Sequence, residues 1–335
     1  MARDLAIDLG TANTLVYAKS RGIVLNEPTV IALNVQTQDV LAMGHQAWHM
    51  IGRTPGYIQA VRPLRKGAIT DFNITQRMIR LLLQRAGLSR FQRPRVLLCV
   101  PSAITEVERR AVKEAARQAG AGDAQLVAQP MAAAIGAGLP IHEPLGNMVV
   151  DIGGGTTETA MISLGGIVAL QAIRVGSFDI DAALQSYVRR EYGMAIGERT
   201  AEEIKLAIGS AFRTEGEEIK AEVRGRDLMS GLPKTVILSP DEVREAIDEQ
   251  VRAITDSVIN CLGYAPPELA QDLIVQGIHL VGGGGMLRGL DQRIATETQL
   301  PVHLVDAPLE CVVLGAGKCL EAFESLKVLF MGAER

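Results

Sequence analysis

Two stretches of the chain place an aspartate, glycines and a small polar side chain in the same order. Asp8 precedes Leu9-Gly10-Thr11-Ala12-Asn13, and Asp151 precedes Ile152-Gly153-Gly154-Gly155-Thr156. Glycines let a backbone approach a ligand with its N–H groups exposed, which suits phosphate. Mg²⁺ prefers carboxylate, phosphate and retained water, so Asp8 and Asp151 would fix a hydrated Mg²⁺ beside a polyphosphate. Either stretch alone is more typical of an ordinary tight turn than of a ligand site, but its repetition in register, with Thr or Asn following each aspartate, favours phosphate.

Each stretch follows one short apolar segment and leads into another. Strands are predicted at 5–9 and 14–19 in the first half, and at 148–152 and 159–164 in the second. Each half therefore opens with the same hairpin, which is a weak internal repeat. An aspartate at the end of a buried strand faces the space beyond the sheet, so two such hairpins would hold a polyphosphate across a cleft.

The rest of the chain alternates short β-type runs with longer helical ones, which predicts an α/β fold. The best-marked helix is 105–119, where Thr105 and Glu108 form a capping box and Gly120 ends the helix. No Ser- or Pro-rich linker divides the chain, so short connections are expected between the halves. Further strands are predicted at 29–34, 96–100, 167–175, 278–281 and 302–305, and further helices at 75–86, 179–192, 201–208, 241–262 and 316–326.

Two further groups of residues are candidates for ligand contact. The run Gly282-Gly283-Gly284-Gly285 follows a predicted strand. So much glycine either permits contact with a flat ring or a ribose or makes a tight strand-to-helix turn. Glu202, Glu203 and Lys205 lie in the first turns of a predicted helix. In isolation, this second pattern is typical of a solvated helix face.

The composition of the chain and the absence of two nucleotide-binding motifs exclude several classes of function. The length of 335 residues predicts two domains, and 34 basic against 38 acidic residues give a net charge of −4, so no nucleic-acid partner is expected. Gly153-Gly154-Gly155 precedes a β pattern, which excludes a dinucleotide fingerprint, and the chain has no G-x-x-x-x-G-K-[ST] loop. Four cysteines without a CxxC pair predict a reducing, cytoplasmic compartment.

Eight stretches, spread from the first strand to the last third of the chain, resemble the MreB family of bacterial actins, the rod shape-determining MreB/Mbl-like proteins. Several of them are specific to that family rather than to the wider actin, sugar-kinase and Hsp70 superfamily. The stretches are DLGTANT (8–14), NEP (26–28), MIGRTP (50–55), PMAAAIG (130–136), VVDIGGGTTE (149–158), IGERTAE (196–202), GLP (231–233) and PPEL (266–269).

The resemblance implies an actin/Hsp70-like fold, in which a ribonuclease H-like α/β unit is duplicated into two domains with the nucleotide in the cleft between them. Domain I would comprise residues 1–145 and 313–335, with a small subdomain at about 33–65. Domain II would comprise 146–312, with a small subdomain at about 180–244. ATP, or GTP, would bind with Mg²⁺ at the base of the cleft.

The resemblance also implies roles for the residues at matching positions. Mg²⁺ would be held through water by Asp8 and Asp151, and catalysis would involve Gln129, Asp151 and Thr156. The nucleotide would be bound by Asp8, Gly10, Thr11, Ala12 and Asn13 of the first domain, by Gly153, Gly154, Gly155 and Thr156 of the second, and around the ribose and base by Glu202, Glu203, Lys205, Gly282, Gly283, Gly284 and Gly285.

Two positions depart from the family pattern. Gln129 stands where members typically carry a Glu that positions or activates the attacking water. A Gln orients water but cannot accept its proton as a carboxylate does, so hydrolysis is expected to be slow or lost. Phe178 replaces an acidic residue, which removes a charge near the cleft, while Asp179 and Asp181 are expected to be first-turn helix charges. Both changes indicate a divergent paralogue.

As a function, the resemblance implies a nucleotide-dependent cytoskeletal filament protein. It would polymerise with ATP at the inner face of the cell membrane and, with cell-wall synthesis and rod-complex membrane proteins, organise wall synthesis and cell shape. Gln129 keeps open the alternative of a nucleotide-binding polymer scaffold with little or no hydrolysis. An Hsp70-type chaperone is less well supported because only about 20 residues follow Gly315, and a sugar kinase because no acceptor-binding Asp or Trp constellation stands out.

One loop is a candidate for membrane contact. It contains the apolar residues Leu88 and Phe91 within a run of arginines. Apolar tips ringed by cations suit an anionic leaflet, at about 1 kcal/mol per basic residue. A solvated basic loop explains the same residues equally well. The surrounding cations are Arg85, Arg90, Arg93 and Arg95.

Overall fold

The computed structural model describes residues 4–87, 93–213 and 219–331. The described strands are β1 (Leu5–Leu9), β2 (Asn13–Ala18), β3 (Gly22–Pro28), β4 (Ile31–Asn34), β5 (Val40–Met43), β6 (Ile58–Val61), β7 (Leu64–Arg65), β8 (Ala68–Ile69), β9 (Arg95–Val100), β10 (Asp123–Ala128), β11 (Asn147–Ile152), β12 (Thr157–Ser163), β13 (Gly166–Ile173), β14 (Met194–Ala195), β15 (Ala221–Asp227), β16 (Pro233–Leu238), β17 (Ile278–Val281) and β18 (Val302–Leu304). The described helices are α1 (His45–Met50), α2 (Phe72–Arg85), α3 (Glu106–Ala119), α4 (Gln129–Gly136), α5 (Ser177–Tyr192), α6 (Glu198–Ile208), α7 (Pro240–Tyr264), α8 (Pro267–Gln276), α9 (Leu290–Thr298), α10 (Cys311–Glu321) and α11 (Phe323–Leu326), with 3₁₀ turns at Gly283–Met286 and Lys327–Leu329.

Two five-stranded sheets follow the same plan. Their strand orders are β10-β9-β1-β2-β3 and β13-β12-β11-β17-β18. In the first, β1 pairs antiparallel with β2 and parallel with β9; in the second, β11 pairs antiparallel with β12 and parallel with β17. The repeat seen in the two hairpins therefore extends to the whole sheets, and the duplicated α/β architecture is confirmed.

The strands that carry the two aspartates are buried along their whole length. Every residue of β1 and of β11 is buried. Strands covered on both faces are expected to be continuously apolar. An aspartate near the end of each of these strands is therefore the exception that points to a function.

Helices α4 and α10 lie between the two large sheets and share one apolar core with both of them. They cross so closely that a Cβ on Gly136 would clash with the carbonyl of Cys311, and one on Gly315 with the carbonyl of Ala132. The closing helix therefore returns to the first half of the chain. Helices α2 and α3 cover the other face of the first sheet, and α5 and α7 cover the other face of the second.

Each half also carries a three-stranded sheet of its own. The orders are β5-β4-β6, beside α1, and β14-β15-β16, beside α6. Most of these strands were not predicted, because short runs such as β15, with its alternating charges, lack an apolar pattern. The predicted strand at 29–34 begins only at Ile31. The predicted helix at 316–326 begins at Cys311 instead and is interrupted at Ala322.

Two observations bear on the membrane prediction. Within residues 4–87, 93–213 and 219–331, none of the helices has both the length and the apolar character needed to cross a bilayer. Leu88 and Phe91, the residues predicted to touch a membrane, lie outside the described residues.

Candidate functional site

The two aspartate turns share the same backbone hydrogen bond. Asp8 and Asp151 are the penultimate residues of β1 and β11. In the first turn, the Gly10 N–H donates to the Asn13 carbonyl at 3.1 Å; in the second, the Gly153 N–H donates to the Thr156 carbonyl at 2.9 Å. Each turn thus reverses the chain within a few residues and leaves its aspartate at the sheet edge.

The turns touch each other across the cleft. A Cβ added to Gly154 would lie 2.7 Å from the Cβ of Ala12, and one added to Gly155 would lie 3.2 Å from Cγ2 of Thr11. Both distances are shorter than ordinary van der Waals contact, so neither position has room for a side chain. Glycine at these positions therefore lets the two halves approach.

Both aspartates open into one cavity of about 90 Å³. Gln129, the first residue of α4, lies in the same cavity. The predicted residues that line it are Asp8, Gly10, Thr11, Ala12, Asn13, Gln129, Asp151, Gly153, Gly154, Thr156, Gly282 and Gly283. The structure therefore brings together most of the residues that the sequence predicts around phosphate.

The two carboxyl groups differ in their electrostatics. Burial raises the pKa of Asp8 to about 6, although the Gln129 Nε2 donates to its Oδ1 at 3.1 Å and opposes the rise. Burial raises the pKa of Asp151 to about 8, with further contributions from the charges of Asp8 and Glu158. Both side chains are only 8% exposed. Burial thus makes both carboxyls easier to protonate than a carboxyl in water, and Asp151 more so than Asp8.

A divalent cation fits this donor set. A bound cation would lower the pKa of both carboxyls because it stabilises their ionised forms. Among the described residues, no group of three or more His, Cys, Asp or Glu could hold a metal alone. Phosphate and water would therefore have to complete the coordination shell, which is how Mg²⁺ is usually bound.

The start of α5 packs on the second turn. Ser177 N–H donates to the Gly153 carbonyl at 3.0 Å, and the Asp179 carboxylate accepts from the Gly176 N–H at 3.0 Å. Asp179 is thus the first-turn charge that was expected. The same prediction for Asp181 is wrong, because the helix begins two residues earlier than predicted. Asp181 is buried in the second turn and pairs with Lys205 at 2.8 Å.

A second cavity, of about 270 Å³, adjoins the first and shares Ala12, Asn13, Ser177 and Gly283 with it. Glu202, Lys205 and Gly284 line it as well, so these predicted residues are brought together.

Besides Gly155, which lines a separate neighbouring cavity, two predicted residues stay outside both cavities. Glu203 is exposed and pairs with Arg199 at 3.8 Å. A Cβ on Gly285 would face Leu280 and Leu304, at 3.5 and 3.7 Å. Helical spacing explains the first case, because neighbouring residues on a helix point in different directions.

Several residues of the site were not assigned a role from the sequence. Glu158 is 2% exposed and accepts from the Ser102 N–H at 2.8 Å; burial raises its pKa to about 7. The Lys66-Gly67 turn contacts both aspartate turns: Gly67 N–H donates to Thr11 Oγ1 at 3.4 Å, and a Cβ on Gly155 would lie 2.9 Å from the Lys66 backbone nitrogen. The only sequence signal for Glu158 is its place, two residues after Thr156. The Lys66-Gly67 turn gives no such signal.

A duplicated pair of α/β sheets, with an aspartate turn from each facing one cavity, defines a fold of the actin class. Over residues 2–328 the chain matches the family model described as MreB/Mbl protein, and it belongs to that family.

Relatives and solved structures agree with this assignment. The cell shape-determining protein MreB of Escherichia coli K12 is 49% identical, over 96% of this chain and 94% of that protein. The cell shape-determining protein Mbl of Bacillus subtilis 168 is 45% identical, over 97% and 98%. MreB5 of Spiroplasma citri superposes with a TM-score of 0.92 when bound to AMPPNP, at 37% identity over 97% and 98% of the two chains, and equally well when bound to ADP. The MamK double helical filament, at 20% identity and a TM-score of 0.80, shares the fold.

Proposed function

We propose that this chain binds ATP, or GTP, with Mg²⁺ between its two domains and assembles with copies of itself into cytoskeletal filaments. The observation that carries the proposal is the meeting of Asp8 and Asp151 in one cavity, each at the end of a central strand and each followed by a glycine turn. The binding of AMPPNP and ADP by the Spiroplasma citri relative supports it.

The phosphates would bind between the two turns. Backbone N–H groups of residues 10–13 and 153–156 would contact phosphate oxygens. The Thr156 side chain would add a phosphate contact from the second domain. Asp8 and Asp151 would hold Mg²⁺ through water, and the ion would neutralise phosphate charge. Because the second cavity shares residues with the first, the ribose and base would extend into it, between Glu202 and Lys205 and the glycines from 282 to 284.

Gln129 would position water for slow hydrolysis. Its Nε2 is engaged by Asp8 at 3.1 Å, so its carbonyl oxygen is the group that would accept a hydrogen bond from water. An amide orients water but takes up no proton, so turnover depends on positioning and charge stabilisation alone. The same residue supports the second candidate function, a filament scaffold that binds nucleotide and hydrolyses little of it.

The domain limits remain those implied by the resemblance, 1–145 with 313–335 and 146–312. Helix α10, from Cys311, packs on α4 and on β1 of the first half, which supports placing the C-terminal segment in domain I. The small sheets, within 31–61 and 194–238, support small subdomains at about 33–65 and 180–244.

The cellular role would be to organise cell-wall synthesis and cell shape from the inner face of the membrane, together with membrane proteins of the wall-synthesis and rod complexes. The names of the Escherichia coli and Bacillus subtilis relatives, cell shape-determining proteins, support this role. Sedimentation with anionic vesicles tests membrane contact through Leu88 and Phe91. Phe91→Ser is expected to reduce binding, and equal binding would remove this loop from consideration.

Nucleotide binding and polymerisation are tested with the same purified protein. Calorimetry with ATP and GTP is expected to show uptake that depends on Mg²⁺. Electron microscopy is expected to show filaments with ATP, and fewer or none without nucleotide. Absence of purine nucleotide uptake in the presence of Mg²⁺ would refute the proposal, whereas uptake without filaments would refute only its cytoskeletal part.

Phosphate release separates the slow ATPase from the scaffold. Gln129→Glu is expected to release phosphate faster than the wild type, because a carboxylate can accept a proton from water. A variant no faster than the wild type would show that Gln129 does not limit turnover. A wild type that polymerises but releases no phosphate would favour the scaffold.

A further inference from the structure

A third cavity lies at the mouth of the cleft and shares Thr11, Gly155 and Glu202 with the proposed nucleotide site, but its remaining residues have no role in the function proposed above. Its volume is about 230 Å³, and both halves of the chain line it. It begins at the phosphate turns, where Thr11 and Gly155 contribute to its wall, and extends to Trp48 on α1 and Arg199 on α6. Contacts made here therefore connect the two halves on the far side of the phosphate turns.

Two arginines stack on aromatic rings across this cavity, in opposite directions. The Arg62 guanidinium carbon, from the first half, lies 4.3 Å from the ring centre of Phe178 in the second. The Arg199 guanidinium carbon, from the second half, lies 4.2 Å from the ring centre of Trp48 in the first. Both distances are well within the range of about 6 Å for a cation–π interaction.

Two ion pairs accompany the stacked pairs, in more exposed positions. Arg62 and Glu198 are 3.7 Å apart, and Lys66 and Asp179 are 3.4 Å apart. The Glu198 and Lys66 side chains are 62% and 56% exposed, so solvent and salt screen these pairs. The aromatic contacts are better placed to hold the halves together.

The Arg199 guanidinium is stabilised by Trp48 on its buried side and by Glu203 on its exposed side. The Arg199 side chain is 23% exposed, and within the described residues its buried Nε and Nη1 have no hydrogen-bond partner. The ion pair with Glu203, at 3.8 Å, is screened because the Glu203 side chain is 66% exposed. The face of Trp48 is therefore the contact that offsets the cost of burying the guanidinium.

A short segment of chain connects the stacked contacts to the phosphate turns. Gly67 N–H donates to Thr11 Oγ1 at 3.4 Å, and a Cβ on Gly155 would lie 2.9 Å from the Lys66 backbone nitrogen. Arg62, which stacks on Phe178, lies four residues before Lys66 in the chain. The stacked contacts therefore lie next to the segment that touches the phosphate turns.

We propose that Trp48, Arg62, Phe178 and Arg199 form a cation–π latch that closes the mouth of the cleft over bound nucleotide and slows its release. The latch rests on the proposed function only in requiring that nucleotide occupies the cleft. An acidic residue at position 178, as the family pattern has it, would pair with Arg62 through charge alone. The ring instead gives this chain a closure that resists salt.

Trp48 is the only tryptophan of the chain, so its fluorescence reports the latch directly. In the wild type, Mg²⁺ and AMPPNP are expected to lower acrylamide quenching of Trp48, because closure shields the ring. Dissociation of a fluorescent ATP analogue, followed by stopped flow, gives the second readout. Phe178→Leu and Arg199→Met are each expected to speed release about two- to fivefold, the size of one such contact. Tyr264→Leu, an exposed aromatic at the end of α7, is the control and is expected to leave release unchanged.

The salt dependence of nucleotide release provides a further test of the latch. About 0.5 M salt shortens the Debye length to about 4 Å and weakens the ion pairs. The wild type is expected to keep slow release under these conditions, whereas Phe178→Asp is expected to release nucleotide slowly at low salt only.

The outcomes separate the latch from the function on which it rests. If the wild type binds the analogue, but both single variants release it at the wild-type rate and Trp48 quenching does not respond, the latch is wrong and the nucleotide site stands. If the wild type binds no analogue, the proposed function fails and the latch with it. Because the two variants change different stacked pairs, misfolding of one, seen in its thermal melt, leaves the other decisive.

Discussion

The two aspartate turns share one backbone hydrogen bond but have different chemical surroundings. In each, a glycine N–H donates to the carbonyl three residues on, and the aspartate is the penultimate residue of a buried strand. Asp8 has an amide donor in Gln129, whereas Asp151 faces a second carboxyl, Glu158. The pKa is raised to about 6 for the first and about 8 for the second.

This electrostatic difference implies that the two halves would contribute unequally to holding the proposed cation. Asp8 is partly stabilised in its ionised form by the protein itself, because Gln129 donates to it. Among the described residues, no side chain donates a hydrogen bond to Asp151 in this way, and burial raises its pKa to about 8. The two halves thus share one turn hydrogen bond but differ in electrostatics, so the proposed cation would depend more on the second half.

The largest effect is expected from removing the second carboxyl. Asp151→Asn is expected to weaken Mg²⁺-dependent nucleotide binding about 100-fold, the effect of about 3 kcal/mol from the loss of a buried charged partner. Asp8→Asn is expected to cost about tenfold less, because Gln129 already stabilises the ionised form of Asp8, so this carboxyl would gain less from a cation. Calorimetry with and without Mg²⁺ measures both. Equal losses would show that the two halves bind the cation equally.

The equivalent glycines of the two turns should differ in how well they tolerate substitution by alanine. A Cβ on Gly10 would lie 2.6 Å from the Asn13 carbonyl oxygen, whereas one on Gly153 would lie 3.5 Å from that of Thr156. Gly10→Ala is expected to destabilise the protein by about 1–3 kcal/mol, and Gly153→Ala by less than about 0.5 kcal/mol. Urea unfolding without nucleotide measures the difference. Similar values for the two variants would mean that the first turn relaxes freely.

Stability should fall as the pH rises, in the absence of nucleotide and metal. A carboxyl whose pKa is raised on folding binds more protons in the folded than in the unfolded state. Its contribution is therefore lost between the unfolded value of 3.8 and the folded values of about 6 and 8. Thermal melts from pH 5 to 8 are expected to show this decline. Asp151→Asn is expected to make stability less dependent on pH over this range. Addition of Mg²⁺ with AMPPNP to the wild type is expected to have the same effect.

A surface aspartate provides the control for this pH dependence. Hydrogen bonds from Ser230 lower the pKa of Asp227 to about 2, so its stabilisation is lost only as the pH falls below about 4. Asp227→Asn is thus expected to leave the slope between pH 5 and 8 unchanged. A wild type whose stability is flat over that range would contradict the raised pKa values.

The sequence predicted those structural features that depend on residues close together in the chain. The hairpins at Asp8 and Asp151 and the capping box of Thr105 were readable because strand alternation, glycine and a helix cap act within a few residues. The stacking of Arg199 on Trp48 was not, since 151 positions separate the two and neither has a local pattern that indicates the other. The small sheets were missed for a related reason: their stability comes from packing on elements distant in sequence.

The smallest effect is expected at two adjacent glutamates on α6. Glu202 lines both the second cavity and the cavity at the mouth of the cleft, whereas Glu203 is exposed and pairs with Arg199. Because one residue of a helix advances about 100°, adjacent side chains do not face the same ligand. Glu202→Gln is expected to weaken nucleotide binding about fivefold, the effect of about 1 kcal/mol from one hydrogen bond, and Glu203→Gln less than twofold, about 0.4 kcal/mol. Titration of a fluorescent ATP analogue against both variants distinguishes them. If Glu203→Gln proved the weaker binder, α6 would have to turn by about one residue when nucleotide binds, and the sequence prediction that included Glu203 would hold for the bound state.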